Sequence, residues 1–397
     1  MRWDGIAGAK PAAGLLFALF ALCPVTASHA AEAVAACTQL SVETDPAAVI
    51  APCTALLKTP DLSAAARGQE LFIRGQGYHH TKQLELAQWD YDAALKLTPD
   101  NDAIYPSRAN VAFRLGHFEE AVAFLRRGLA INPKNAHALR MVGVILRNMG
   151  RPDEAIRYFS MALDVDPNEA NALLFRSYAF QNERRFDLAL QDAGKLVAMP
   201  PEKINLQGFL DNDGVKRDFH ILALSNRADI FSAIGKFDLA QRDLDDAVNY
   251  KRTADSLEAR GEFLMGRPGE RQRALDDLQA ATALDPNMLQ AFYLKGAVLF
   301  DLKRYQDAVV ALDRALTISP NYDYALRMRA KVYRALGQTD SAVRDLQQAV
   351  VESPRVAALT IRTLKMSGYL PSGEMPNGLT PELRDAIHAC MLDAACN

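Results

Sequence analysis

The sequence predicts an all-α solenoid of stacked helical hairpins, and three observations predict it. Prolines recur every 34 residues, as Pro99, Pro133, Pro167 and Pro201 and again as Pro286, Pro320 and Pro354. Twelve residues before each stands an alanine, at Ala87, Ala121, Ala155, Ala189, Ala274, Ala308 and Ala342, and Ala240 keeps the phase in a repeat without the closing proline. Twenty-four residues before the prolines, small residues recur as Gly75, Ala109, Gly143, Ser177, Gly296 and Ala330, with Ala228 in the proline-less repeat and Glu262 breaking the series. A fixed period of this length marks one supersecondary unit copied along the chain.

Each period contains two helices. Ala155, Ile156, Phe159 and Ala162, like Ala308, Val309, Leu312 and Ala315, fall on helical spacing and predict a second helix of about 14 residues. The stretch before it, from Ala138 to Met149 for example, predicts a first helix closed by Gly150. Gly116, Gly235 and Gly337 hold the equivalent place, where a left-handed backbone suits glycine. Small residues at the recurring positions let the two helices approach, and proline closes each unit because it cannot continue a helix. A lone hairpin cannot bury its own apolar face, so the units must stack and the array needs protected ends.

This pattern resembles the tetratricopeptide-repeat family, whose unit has small residues in the first helix, alanine twice in the second and proline at the close. Eight units fit, starting at Gly68, Asp102, Ala136, Ala170, Ile221, Asp255, Leu289 and Asp323. The resulting layout is a cap over residues 31–67, units one to four over 68–201, an insertion over 202–220, units five to eight over 221–354, and a C-terminal helical cap over 355–397. The resemblance implies a right-handed superhelical α-solenoid of helix-turn-helix units. Arg252 in place of proline, Glu262, and the turn Gly266-Arg267-Pro268-Gly269 depart from the pattern in the two central units. Within the insertion, Asp211-Asn212-Asp213-Gly214 lacks the glutamate that a calcium loop requires, since His220 stands at that place.

Four units repeat an arginine followed sixteen residues later by an aspartate: Arg74 and Asp90, Arg176 and Asp192, Arg227 and Asp243, Arg329 and Asp345. These predict ion pairs between the helices of a unit or between adjacent units, setting register. Where Phe124, Tyr158 or Ala311 replaces the aspartate, the residue sixteen before it is Arg108, Val142 or Lys295.

Sequence motifs give no case for catalysis. There is no HExxH and no glycine loop between a strand and a helix, and the adjacent His79 and His80 point to different helix faces. No metal or cofactor is called for. The family resemblance instead implies a groove lined by the first helices at unit positions two, five, nine and twelve, which share one helix face. Phe72 is among these, and two groups stand out: Asn110, Arg140, Arg147, Asn171 and Tyr178, and then Tyr324, Arg327, Lys331 and Arg334. In units five and six the same positions include Ser225, Asp229, Ser232, Ser256, Ala259, Phe263 and Gly266. Arginine and asparagine offer directed donors to carboxylates or extended backbone, and tyrosine supplies rigid contact area. The family's carboxylate clamp is not reproduced intact, so a protein or peptide segment, and not specifically a C-terminal tail, is the expected partner.

Composition agrees with a folded chain of 397 residues, 49% hydrophobic and 23% charged. A net charge of −3 removes the general case for nucleic-acid binding. Residues 1–30 have the form of a cleavable export signal: Arg2 and Lys10, an apolar run from Ala12 to Leu22, Pro24, then Ser28-His29-Ala30. The run is about half the roughly 20 residues that span a bilayer, so no stable membrane span is expected. Large Leu22 before Cys23 and Pro24 after it disfavour a lipid anchor. The expected location is periplasmic or secreted. Cys37, Cys53, Cys390 and Cys396 allow three pairings. The short-range set, Cys37 with Cys53 and Cys390 with Cys396, is preferred because the pairs lie at opposite ends of a long chain, and neither cluster has metal-ligand spacing. The order of Leu364, Gly368-Tyr369, Gly373, Gly378, Thr380 and a helix from Leu383 to Leu392 is similar to part of a small peptidoglycan-binding domain. The function expected is a non-catalytic scaffold or adaptor in a bacterial periplasm or envelope. The alternative is a cell-wall protein whose tail contacts peptidoglycan while the repeats recruit partners.

Overall fold

A computed structural model describes residues 37, 42, 44–200, 218–372 and 378–393. The expected export signal, most of the insertion, and Cys396 lie outside the described residues. Among those described there are 19 helices and no strands, an all-α helical repeat solenoid. The chain divides into two compact units, one ending at Met149 and the other beginning at Gly150.

The first unit holds α1 (Ile50–Leu56), α2 (Ala64–His80), α3 (Leu84–Leu97), α4 (Ile104–Arg114), α5 (Phe118–Ile131) and α6 (Ala136–Asn148). Here α2 pairs with α3 and α4 with α5, while the first helices α2, α4 and α6 touch in succession. The second unit holds α7 (Pro152–Val165), α8 (Ala170–Asn182), α9 (Phe186–Ala198), α10 (Phe219–Ala233), α11 (Phe237–Tyr250), α12 (Ala254–Met265), α13 (Arg271–Leu284), α14 (Leu289–Asp301), α15 (Tyr305–Ile318), α16 (Asp323–Ala335), α17 (Thr339–Glu352), α18 (Pro354–Met366) and α19 (Pro381–Leu392). Hairpins α8/α9, α10/α11, α12/α13, α14/α15 and α16/α17 follow one another, and the first helices α8, α10, α12, α14 and α16 again touch in sequence.

The recurring small residues sit where the helices of a hairpin cross. A Cβ on Gly75 would stand 2.7 Å from the Tyr91 ring, and one on Gly296 would stand 2.6 Å from Leu312. Nothing larger than hydrogen fits between those helices. The hairpin turn has its own period, in left-handed conformation: Lys82, Gly116, Gly150 and Arg184 in one series, Gly235, Gly269, Lys303 and Gly337 in the other. Side chains at φ near +60° are strained, so Lys82, Arg184 and Lys303 hold a conformation that the stacked hairpin imposes on them.

All four expected ion pairs form, each bidentate. The Arg74, Arg176, Arg227 and Arg329 guanidinium groups donate to the carboxylates of Asp90, Asp192, Asp243 and Asp345 over 2.6–2.8 Å. Several reach a third helix. Arg74 donates to Thr54 of α1, Arg176 to Ser160 of α7 and Arg329 to Asp313 of α15. Arg108, whose sixteenth neighbour is Phe124, keeps the same three-helix role by other means. It pairs with Asp92 of α3 at 2.7 Å and Glu120 of α5 at 2.6 Å, and its guanidinium lies 4.5 Å from the Phe124 ring centre. Burial raises the Asp90 carboxyl above its usual range despite the Arg74 guanidinium. Such pairs fix helix register more than they add net stability.

Both ends are capped. Cys37 and Cys53 are disulfide-bonded and pack with Val42, Val49, Leu56 and Ile73, covering α2 at its middle. At the other end Leu383, Ala386, Ile387 and Cys390 of α19 belong to the same core as the last hairpins, with α19 against α17. Cys390 is disulfide-bonded as well. No helix among the described residues is long and apolar enough to cross a membrane.

Two substitutions test this packing. Asp192→Ala strands the Arg176 guanidinium, whose side chain is only 17% exposed, and is expected to remove about 2–3 kcal/mol, at or just below the range for a fully buried pair. Gly296→Val drives a side chain into Leu312 and is expected to remove about 1–3 kcal/mol. Urea unfolding followed by far-ultraviolet circular dichroism measures both.

Candidate functional site

The break in the repeat at Glu262 is a change of phase. In the α12/α13 hairpin the arginine pairs seventeen residues on, with Arg260 donating to Asp277 over 2.7 and 2.8 Å, and a Cβ on Gly261 would stand 2.8 Å from Leu278. Gly261 and Arg260 thus take the roles that Gly75 and Arg74 play in the first hairpin. Relative to α13, α12 is displaced by one residue, and the longer turn from Gly266 to Glu270 absorbs the difference. One residue is about 100° of helix rotation. Glu262 is therefore carried off the packing face and lies exposed, and α12 offers Glu258 and Glu262 to a cleft.

That cleft has a volume of about 450 Å³. Ser225, Asp229 and Ser232 of α10 line it on one side, and Glu258, Ala259, Glu262 and Phe263 of α12 on the other. Phe237, Gly266 and Arg267 form its remaining wall. The Arg267 guanidinium lies 4.1 Å from the Phe237 ring centre and 5.8 Å from that of Phe263. Asp229 and Glu262 occupy the corresponding place on successive first helices once the phase change is counted. Both are open to solvent, yet the walls shed much of their water. Desolvation, with the Glu262 charge second, pushes the Asp229 carboxyl up to about 7, and desolvation raises Glu262 too. Neither carboxylate has an ion pair or hydrogen bond with a cation among the described residues.

The same side continues along α14 and α16. Tyr293, Tyr322 and Tyr324 cluster with ring centres 5.5–6.0 Å apart. The Tyr322 hydroxyl donates to Gln290 Oε1 at 2.8 Å, and the Arg355 guanidinium lies 4.8 Å from the Tyr324 ring centre. Burial, followed by the neighbouring Tyr293 and Tyr324, pushes the Tyr322 phenol up to about 12.

The residues expected to line the groove are divided by the structure. In the second unit Tyr324 and Lys331 are exposed and Tyr178 and Arg327 are half-buried. Arg334 is drawn to the C-terminal cap, donating to the Asp393 carbonyl at 2.7 Å. Asn171 has no exposed surface, and neither amide atom has a hydrogen-bond partner among the described residues. Ser256, also expected in the groove, is buried in a capping box with Thr253. In the first unit Phe72 is not a groove residue but core, packed with Leu71, Tyr91 and Ile104, because α2 turns that position toward α3. Arg140 is likewise wholly buried, with its Nη2 donating to His137 Nδ1 at 2.8 Å. Arg147 and Asn110 are half-buried, and Asn110 adjoins His79. Nearby, desolvation and the charges of His80 and Arg114 push His79 down to about 4, so it is neutral at pH 7. Glu258 and Glu262 were not legible as groove residues, since a strict 34-residue register assigns their places to Ala259 and Phe263.

Residues 82–136 and 112–176 match models of the tetratricopeptide repeat, and residues 233–361 match a model described as the ETO1 C-terminal domain. Ethylene-overproduction protein 1 of Arabidopsis thaliana is 31% identical over 104 residues, 26% of this chain and 10% of that protein. The DnaJ homolog subfamily C member 7 homolog of Schizosaccharomyces pombe is 34% identical over 88 residues, 21% of this chain and 18% of that protein. The chain thus spans a fifth or less of the length of these relatives. A crystal structure of a tetratricopeptide repeat protein from Parabacteroides merdae superposes with a TM-score of 0.52 and 18% identity, covering 67% of this chain and 98% of that one. The chain contains tetratricopeptide repeats, and its fold is the solenoid those repeats build.

The Asp229 carboxyl gives a pH signature. Its value is about 7 in the folded protein against 3.8 for an ordinary aspartate. The folded state therefore holds the proton more tightly, and stability falls as pH rises from about 4 to about 7. Asp229→Asn is expected to melt at a higher temperature than the unmodified protein at pH 8, and at the same temperature near pH 4. Thermal scans at the two pH values read the difference.

Proposed function

We propose that this tetratricopeptide-repeat solenoid is a non-catalytic scaffold that holds a protein or peptide segment along its first helices, in the periplasm or envelope of a bacterium. One observation carries the reading: the successive first helices α10 and α12 leave an open, polar and aromatic cleft between them, while the crossings within their hairpins are closed by Ala228 and Gly261 and clipped by the Arg227–Asp243 and Arg260–Asp277 pairs. Rigid helices thereby present ligand-facing groups whose positions are fixed before binding. The export part rests on the signal-like residues 1–30 and on the disulfide-bonded Cys37, Cys53 and Cys390, which suit an oxidising compartment.

The C-terminal segment serves in this reading as the cap of the array. Leu383 and Ile387 are fully buried against the last hairpins, leaving that face of α19 unavailable to cell-wall glycan.

A photo-crosslinking residue at Ser232, in the cleft, should give a discrete adduct with another polypeptide in the producing cell. The same residue at Val310, which is 69% exposed on α15, should not. Equal labelling at both positions, or none at Ser232, would count against the groove. Mass spectrometry of the accumulated protein should find a chain beginning at Ala31, and sedimentation with purified sacculi should leave it in the supernatant.

A further inference from the structure

The cleft of α10 and α12 carries a charge arrangement that the repeat pattern does not explain. We infer that it docks an arginine-bearing, basic segment of a partner polypeptide, with the guanidinium held between Asp229 and Glu262 and lying along the Phe263 wall. This deepens the scaffold reading and rests on it.

Three observations point to that occupant. In the hairpin interiors, Asp90, Asp192, Asp243, Asp277 and Asp345 each meet an arginine, whereas Asp229 and Glu262 line opposite sides of the cleft and neither is ion-paired to a cation among the described residues. Two like charges in a partly desolvated cleft repel, and a cation entering between them relieves the repulsion as it binds. Secondly, the wall already accepts this chemistry: the chain's own Arg267 stacks on Phe237 and Phe263 at the rim, with no ion pair to either carboxylate. A planar guanidinium can accept two carboxylates and an aromatic face together, which an ammonium does less well. Thirdly, neither carboxylate belongs to a cluster of three or more metal-ligating side chains among the described residues. Among the described residues the only grouping of three or more metal-ligating side chains is Cys37, Cys53 and Glu70, whose two sulfurs are consumed in the disulfide.

The charged groups facing Asp229 are Glu258 and Glu262 of α12 and Arg267 of the following turn. Only an ionised Asp229 attracts the guanidinium, so affinity should weaken as pH falls from 8 to 6.

Fluorescence anisotropy with labelled glycine-serine dodecapeptides tests the assignment. One peptide carries two central arginines, a second carries citrulline in their place, a third lysine and a fourth glutamate. At 50 mM salt the arginine peptide should bind at least about tenfold more tightly than the citrulline and glutamate peptides, with lysine between them. D229N/E262Q, checked for folding by circular dichroism, should lose about tenfold on the arginine peptide alone, and D229K/E262K should reverse the preference to glutamate. Equal binding of arginine and citrulline peptides, undiminished arginine binding by D229N/E262Q, or no arginine binding at 1 mM would each overturn the inference. Calcium or zinc binding abolished by D229N/E262Q, without arginine-peptide binding, would reassign the pair to a metal ion. A discrete Ser232 crosslink to an uncharged or acidic segment would remove this inference while leaving the scaffold reading intact.

Discussion

The structure depends on a partly buried guanidinium where successive helices meet. Arg74, Arg108, Arg176, Arg260 and Arg329 each reach side chains on two other helices, one in their own hairpin and one on the helix that precedes that hairpin. Hydrophobic contact between such helices is non-directional and by itself sets no register. A bidentate pair with a planar fork tolerates very little. The arginines therefore turn a non-directional attraction into a fixed register, repeated along each compact unit.

Fixed register is what gives the open cleft its chemistry. In α12 the clip is kept, but with Asp277 seventeen residues away, so the whole helix rotates to satisfy it. Gly261 moves into the crossing and Glu262 moves out. An acidic residue that would be intolerable against Leu278 becomes the neighbour of Asp229 on the solvent side. The carboxylate pair is thus a consequence of where the arginine insists on sitting. Natural sequences satisfy such conflicts in the interior and leave the residue of them at the surface that meets other molecules.

A repeat array leaves its end hairpins with one bare face each, and this chain covers the two ends differently. The Cys37–Cys53 disulfide ties a short helical segment over Ile73 of α2. At the far end α19 returns to α17 and contributes Leu383 and Ile387 to the interior. Arg334 then donates to the Asp393 carbonyl, so a side chain with groove spacing is used to hold the cap.

The sequence by itself determined the hairpins, their 34-residue period, the four ion pairs at sixteen-residue spacing and the small residues at the crossings. Each of these repeats along the chain, and repetition is visible without coordinates. Left-handed Lys82, Arg184 and Lys303 were not visible, because lysine and arginine carry no turn signal and only the stacked hairpin forces their backbone. Helical spacing chose a face for Phe72, Arg140 and Asn171 but could not give depth, and the packing of neighbouring helices buried all three. The slip of α12 was likewise decided in three dimensions. A single residue of phase hardly alters a linear pattern, yet it rotates a helix by about 100° and decides which carboxylates share a cleft.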